Sequence, residues 1–313
     1  MTNRPEFSFI ICTYNRAQYL RDTLDSLLSI EPPPVRVEIL VVDNNSTDET
    51  QVLADKLPVG KNVSVRYVKE ENQGLSHARN RGIHEALAPI VVFVDDDIRA
   101  ADSFFTAWVS FFKNNPGAEA AGGKIHVQFD DPRPRWMPYF LLPLLGYHDF
   151  GNTIKRYGKK NYPFGGNMAF KKEIFDKYGL FNPHLGRIGG NLKASEEKEF
   201  FHRLRKDQAD IYYVPDAMLF HRVSKNRLTE AYIRKQAVGL GQSIALQLQE
   251  KSTRYKMGKA LGELGKIAAT AGLFVGYSIT LRVSKAIILI KFRKWIAEGY
   301  LSVIMYKSND LNV

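Results

Sequence analysis

Asp95, Asp96 and Asp97 follow one another without a gap, and three adjacent carboxylates are the strongest chemical signal in this 313-residue chain. Like charges packed this closely repel unless a cation neutralises them, and carboxylate oxygens suit Mg2+ or Mn2+. A solvated acidic turn ahead of a helix near Asp102 has the same composition. What separates the two readings is the run before the acids, Ile90–Val94, five apolar residues fit for a strand buried on both faces. The acids then lie where a strand leaves its sheet, and in open α/β sheets ligands bind at the carboxyl ends of strands. Other apolar runs close on polar residues in the same way: Thr13 follows residues 7–12, and Asp43 and Asn44 follow residues 37–42. Gly165 and Gly166 precede Asn167 and a short apolar run, a pattern that lets backbone approach a ligand closely. In Ser195-Glu196-Glu197, the acids lead a segment anchored by Phe200, Phe201 and Leu204, where a helix dipole favours them on its own account. His221 lies within the apolar run 218–223.

The elements that must position these groups follow from hydropathy. Residues 7–12 read as a first strand ending in the polar turn Thr13-Tyr14-Asn15-Arg16. Leu20, Leu24, Leu27 and Leu28 recur at helical spacing, and Pro32, Pro33 and Pro34 stop that helix. Residues 37–42 are a second buried strand, and Ser46 with Glu49 has capping-box spacing for the next helix. Residues 63–68 are a third strand. A helix then carries Leu75, Ala78, Arg79, Gly82, Ile83 and Ala86 as far as Pro89. With Ile90–Val94 this is a βαβ pattern, which predicts an α/β fold with a mixed, mainly parallel sheet flanked by helices. Residues 121–129 add a strand. Residues 130–150 are rich in proline and aromatics, among them Trp136, Tyr139, Phe140, Tyr147 and His148, and suit either an acceptor surface or an apolar lid.

Composition sets outer limits. A chain 44% hydrophobic at this length supports one large domain or two modest ones. The net charge is +11, but from Lys251 onward eleven basic residues face three acids, so most of the excess lies in the tail. That argues against a nucleic-acid binder and towards a basic tail with its own partner. Cys12, in an apolar run, reads as a buried structural thiol, and a single cysteine suits a reducing compartment. The first apolar run is too short for a signal peptide, so a cytoplasmic protein is expected. The chain has neither G-x-G-x-x-G after its first strand nor G-x-x-x-x-G-K-[ST], which removes support for dinucleotide or P-loop binding.

Four segments together carry a resemblance: Ile-Ile-Cys-Thr-Tyr-Asn-Arg, Val-Val-Asp-Asn-Asn-Ser-Thr-Asp, Asn-Gln-Gly-Leu-Ser-His-Ala-Arg-Asn-Arg-Gly and Phe-Val-Asp-Asp-Asp. In order and spacing they resemble family 2 glycosyltransferases of GT-A fold, over roughly residues 7–240. The resemblance implies that Thr13, Asp43 and Asn44 hold the nucleoside of a sugar nucleotide. Asn44 stands where the family often has Asp, and its carboxamide can still read uracil or thymine. Arg79 would pair with phosphate oxygens. Asp97 would ligate a divalent cation, Mn2+ or Mg2+, that bridges the diphosphate. Asp95 would hold the ribose or a metal-bound water, and Asp96 would lie with it in the nucleotide-sugar site. Asn167 would lie beside the donor sugar, Glu197 would be the catalytic base, and His221 would ligate the cation or touch the diphosphate. His77 and Arg81 read as surface residues.

The implied reaction is inverting transfer of one sugar from a UDP-sugar to a hydroxyl of a glycan or lipid-linked acceptor. The Q-x-x-R-W signature of processive synthases is absent. A GT-A domain over residues 1–224 is expected, with a nucleotide half to about residue 100, an acceptor half after it, and a helical extension over 225–313. Residues 267–281 are uncharged but short of the ~20 needed to span a bilayer. Basic residues then interleave with 287–290, Phe292 and Trp295, a mixture suited to an anionic membrane surface at the inner face. Dimerisation and a helical cap are the other roles open to that tail. A nucleotidyltransferase of similar sheet, or a non-catalytic membrane scaffold, are the alternative functions.

Overall fold

The computed structural model describes residues 4–31, 34–54, 62–159, 161–186, 196–249 and 252–310. Pro32, Pro33, Ser195 and Lys251, which mark helix and tail boundaries above, lie outside them.

Burial alternates along the first strand as the pleat requires. In β1 (Phe7–Thr13), Phe7, Phe9 and Ile11 join Leu20, Leu24 and Leu27 of α1 (Ala17–Ser29) and Trp108 of α4 (Phe104–Asn114) in one core. Ile10 joins a second core with Ala78 and Ile83 of α3 (Leu75–Glu85). β2 (Val37–Asp43) is buried along its whole length, as a central parallel strand should be. With β3 (Val63–Lys69) and β4 (Ile90–Val94), these strands run parallel in the order β3-β2-β1-β4.

Beyond β4 the sheet reverses. β8 (Asn167–Lys171) pairs antiparallel with β4, followed by β6 (Ala120–Phe129), β9 (Ile211–Val223) and β5 (Ile98–Ala100), while β7 (Lys155–Arg156) lies beside β9. The expected mixed α/β sheet is present, with its parallel part confined to the first four strands. An aromatic group of Phe93, Phe170, Phe181, Phe200 and Phe201 fixes α6 (Glu196–Lys206), with Phe181 and Phe200 centroids 4.8 Å apart. One local expectation fails. Asp48, not Ser46, caps α2 (Thr50–Ala54): its carboxylate accepts from the Thr50 amide at 3.1 Å and the Ala17 amide at 3.0 Å. The Ser46 hydroxyl instead accepts from the Asn15 amide.

The chain resolves into two compact units, Met1–Gln128 with Gly146–Arg222, and Phe129–Leu145 with Val223–Val313. The second holds a 3-10 turn at Tyr139–Leu145 and the helices α7 (Glu230–Gln249), α8 (Thr253–Ile279) and α9 (Val283–Asp310). Phe140 packs on Phe292 with centroids 5.8 Å apart, so the first part of the aromatic stretch belongs with the helices and not with the sheet. α7 and α9 touch backbone to backbone: a Cβ on Gly241 would lie 2.0 Å from the Ile296 carbonyl oxygen, and one on Gly299 2.0 Å from that of Val238. Among the described residues no helix is long and apolar enough to cross a membrane.

Candidate active site

Strand register explains most of the site. Ile11 lies beside Val94 in the parallel pair, so Thr13, two residues on, reaches the acids that follow β4. Its hydroxyl donates to Asp96 Oδ2 at 2.7 Å. Val94 pairs with Asn167, which places Gly166 and Gly165 alongside Asp95 and the turn beyond. Ile98 pairs with His221, and the Arg222 amide donates to the Asp97 carbonyl at 2.7 Å. The same register brings His221 Nε2 to 3.2 Å from Asp97 Oδ1. Asp95, Asp97 and His221 each offer a ligand atom, and these atoms lie within 4.8 Å of one another. Two carboxylate oxygens and an imidazole nitrogen suit a divalent cation.

The acid turn is held from below by α1. The Thr23 hydroxyl donates to the Asp96 carbonyl at 2.8 Å and accepts from the Ile98 amide at 3.1 Å. Burial and the neighbouring Asp97 push the Asp95 carboxyl up from its ordinary value. Burial likewise pushes Asp96 up, opposed by Arg16. Arg16 bridges the cluster, donating to Asp96 Oδ1 and Asp97 Oδ2 at 2.6 Å each. Asp96 is therefore tied to Thr13 and Arg16 in this arrangement.

Gly165 and Gly166 make a close approach, but to acids of the protein. A Cβ on Gly166 would lie 2.4 Å from Asp95 Oδ2, and one on Gly165 1.8 Å from Glu197 Oε1 and 2.2 Å from Arg79 Nη2. One backbone dipeptide thus separates Asp95 from Glu197. Arg79 is buried and donates to Glu196 Oε1 and Glu197 Oε1 at 2.9 Å each. Burial would lower Arg79, but Glu197 and Glu196 outweigh it and hold the guanidinium charged. In this arrangement Arg79 positions the acid pair. Glu196 is fully buried, whereas the Glu197 side chain is 21% exposed, so only the second acid opens towards solvent.

At the carboxyl end of β2, Asp43 is held by its neighbours. Asp43 accepts from the Ser46 amide at 2.9 Å and the Tyr67 hydroxyl at 2.7 Å. Asn44 is bonded to the loop that follows β3. Its amide donates to the Asn72 carbonyl at 2.7 Å, and its oxygen accepts from the Gly74 amide at 2.7 Å and from Gln73 at 3.2 Å. The carboxamide is spent on holding the loop ahead of α3, which is what an amide with two donors and one acceptor oxygen does well. The Asn167 amide donates to the carbonyls of Lys124 at 3.1 Å and Ala217 at 2.8 Å, inside the sheet.

Of the other expected residues, Arg81 makes a surface pair with Glu85 at 2.9 Å. His148 is buried against Phe164 and bonded to the Tyr157 hydroxyl at 2.7 Å, with burial pushing its ring down to about 4. Burial pushes the Cys12 thiol up to about 12, as an inert structural thiol requires. Sequence reasoning missed Arg16, Thr23 and Tyr67. The usable signal for Arg16 was a lone basic residue in the turn after β1, on the sheet edge that carries three carboxylates.

Residues 8–179 match the family model described as "Glycosyl transferase family 2". The chain is 25% identical to the glucosyl-dolichyl phosphate glucuronosyltransferase of Haloferax volcanii over 223 residues, 70% of each chain. It is 26% identical to the succinoglycan biosynthesis protein ExoM of Rhizobium meliloti, covering 77% of this chain and 75% of that one. Among solved structures, the Pyrobaculum calidifontis mannosyltransferase with GDP-Man and Mn2+ is similar at a TM-score of 0.59 and 21% identity, over 96% of this chain and 88% of that one. S. aureus TarS 1-349 with UDP-GlcNAc is similar at 0.54 and 18% identity, over 97% and 92%. At these identities the structures establish the fold, a GT-A sheet.

Proposed function

The chain belongs to glycosyl transferase family 2 and is a glycosyltransferase; from that premise we propose that it moves a sugar from a nucleoside diphosphate, UDP foremost, to a hydroxyl of a glycan or lipid-linked acceptor with inversion. The observation that carries this reading is the Gly165-Gly166 dipeptide, flanked by Asp95 on one side and Glu197 on the other. It lies between a carboxylate suited to a cation and a solvent-reaching carboxylate, the two ends a direct displacement needs.

Each residue then has one task. Asp43 keeps lone pairs on both oxygens for a pyrimidine N3–H, since each accepts one bond within the protein. Asp95, Asp97 and His221 would hold a divalent cation, which when bound supplies Lewis-acid stabilisation of a departing nucleoside diphosphate. Glu197 takes the proton from the acceptor hydroxyl as its oxygen attacks the anomeric carbon and the bond to the diphosphate oxygen breaks. Arg79 fixes that carboxylate through Oε1.

Glu197→Gln tests the assignment. The amide oxygen can still accept from Arg79, so shape is kept while basicity is lost. Turnover should fall ~10²-fold or more, with donor and Mn2+ affinity unchanged. A variant that keeps more than a tenth of wild-type turnover removes Glu197 from the mechanism.

The helical tail is proposed to rest on an anionic membrane surface at the cytoplasmic face. What supports this is the hairpin between α8 and α9, where Ile279 is 76% and Leu281 86% exposed, with Val283 and Ile287 exposed beside them. Arg282 and Lys285 flank that tip, a pairing of apolar tip and basic collar that suits lipid headgroups.

A further inference from the structure

The turn Thr13-Tyr14-Asn15-Arg16 reads from sequence only as a link between β1 and α1, yet Arg16 makes the tightest contacts in the acid cluster. Its guanidinium spans Asp96 Oδ1 and Asp97 Oδ2 at 2.6 Å each, and its carbon lies 4.5 Å from the centroid of the Tyr19 ring. The side chain is 29% exposed, although both carboxylates it grips are almost fully buried. Asp97 has its other oxygen 3.2 Å from His221 Nε2, and Asp96 has its other oxygen on Thr13. Both oxygens of Asp97 are therefore engaged in this arrangement. The nearby guanidinium groups have partners elsewhere: Arg79 on Glu196 and Glu197, and Arg222 on Asp22.

A divalent ion among Asp95, Asp97 and His221 needs an oxygen of Asp97, and it sets a +2 charge beside the +1 of Arg16. Two cations cannot share one buried carboxylate without repulsion that a low-dielectric site amplifies. Release of Asp97 by Arg16 relieves that repulsion, and its partial exposure gives it a way out of the cluster. An arginine fork matches a phosphate as readily as a carboxylate. We propose that Arg16 is a resident surrogate for the metal. It neutralises the cluster in the free protein, opposes cation binding there, and transfers its fork to the donor diphosphate when cation and nucleotide arrive together. Arg16 thereby couples the two ligands. The transfer half of this proposal rests on the nucleoside-diphosphate reading above; the surrogate half does not.

The experiment is a titration of Mn2+ into the full chain, followed by the electron paramagnetic resonance signal of free Mn2+, with and without saturating UDP. Wild type should bind Mn2+ weakly alone and about tenfold more tightly with UDP. Arg16→Gln should bind Mn2+ alone about tenfold more tightly than wild type, and UDP should then improve it less than threefold. Arg16→Lys keeps the charge without the fork and should retain weak binding of Mn2+ alone while losing most of the UDP effect. A thermal melt of each variant confirms that it is folded. If Arg16→Gln binds Mn2+ no more tightly than wild type, the surrogate role is overturned. If wild type binds Mn2+ equally with and without UDP, the coupling is overturned, and the Lys variant is not needed to decide it. If calorimetry detects no UDP binding to wild type, the donor reading fails, whereas tighter Mn2+ binding by Arg16→Gln would still uphold the surrogate.

Discussion

A methyl group added at Gly165 would test the positioning of the base without touching any acid. The new Cβ would start 1.8 Å from Glu197 Oε1 and 2.2 Å from Arg79 Nη2. Cβ atoms essentially never come within 3.0 Å of such neighbours, so the carboxylate must retreat by about 1.2 Å or the glycine backbone must move by as much. Arg79 can follow only by breaking from buried Glu196. A displacement near 1 Å in a catalytic group is expected to cost roughly 10²-fold in rate. Gly165→Ala should therefore lower kcat by about two orders of magnitude. UDP affinity should stay near wild type, because Asp43, proposed to hold the base, is bonded to Ser46 and Tyr67 and does not touch Gly165. The assay is steady-state release of nucleoside diphosphate, paired with calorimetric titration of UDP and Mn2+. Gly166→Ala is the companion change: its Cβ would press on Asp95 Oδ2 at 2.4 Å, so it should weaken Mn2+ binding first. If Gly165→Ala is folded and turns over at the wild-type rate, the dipeptide does not set the position of Glu197, and the central observation behind the proposed function is lost.

Other outcomes follow from the same contacts. Glu196→Ala leaves half of a buried ion pair unmet and should cost about 3–5 kcal/mol in a urea midpoint measurement, which makes it a stability variant where Glu197→Gln is a rate variant. His148 has its ring pushed down to about 4 by burial, so between that pH and its unfolded value near 6.5 the unfolded chain binds the extra proton. Its contribution is complete above pH 6.5 and drains away as pH falls towards 4; urea midpoints taken across that window should fall in wild type and stay flatter in His148→Gln. Leu281→Asp and Ile279→Glu should each abolish co-sedimentation of the full chain with phosphatidylserine vesicles while leaving the melting temperature unchanged. Binding of wild type that survives high salt undiminished would rule out an electrostatic share.

The sheet was legible because its signals are local. Apolar runs bounded by polar turns marked β1 to β4, and the acids at their ends fell on one edge, as strand polarity requires. What the sequence did not reveal is the structural share of polar side chains. Asn44, Arg79 and Asn167 each carry a residue type that suits a nucleotide-sugar site, and each also holds another part of the protein. No spacing in the sequence distinguishes those uses, because their partners, Asn72, Glu196 and Ala217, come from other elements. The pairing of Arg79 with Glu196 joins α3 to α6, an encounter that only the folded aromatic group around Phe181 and Phe200 creates. The tail was ambiguous for a different reason. Gly241 and Gly299 look like weak points in two helices, and only the crossing of those helices turns them into contact points.

The pairing of Ile98 with His221 has a consequence for when this enzyme becomes competent. Asp97 leaves the ribosome early and His221 near the end of its unit, yet the two come to lie on adjacent strands. Contacts between residues so distant along the chain are among the last to be established, because their loop-closure entropy must be met before they return any stability. Until β9 docks beside β5, Asp95 and Asp97 lack the imidazole that completes their set. A half-made chain would then have its nucleoside end but no finished place for the cation. On the proposed roles of Asp97 and His221, donor turnover would report completion of the last strand, and any ligand that needs both stabilises the docked strand over the undocked one.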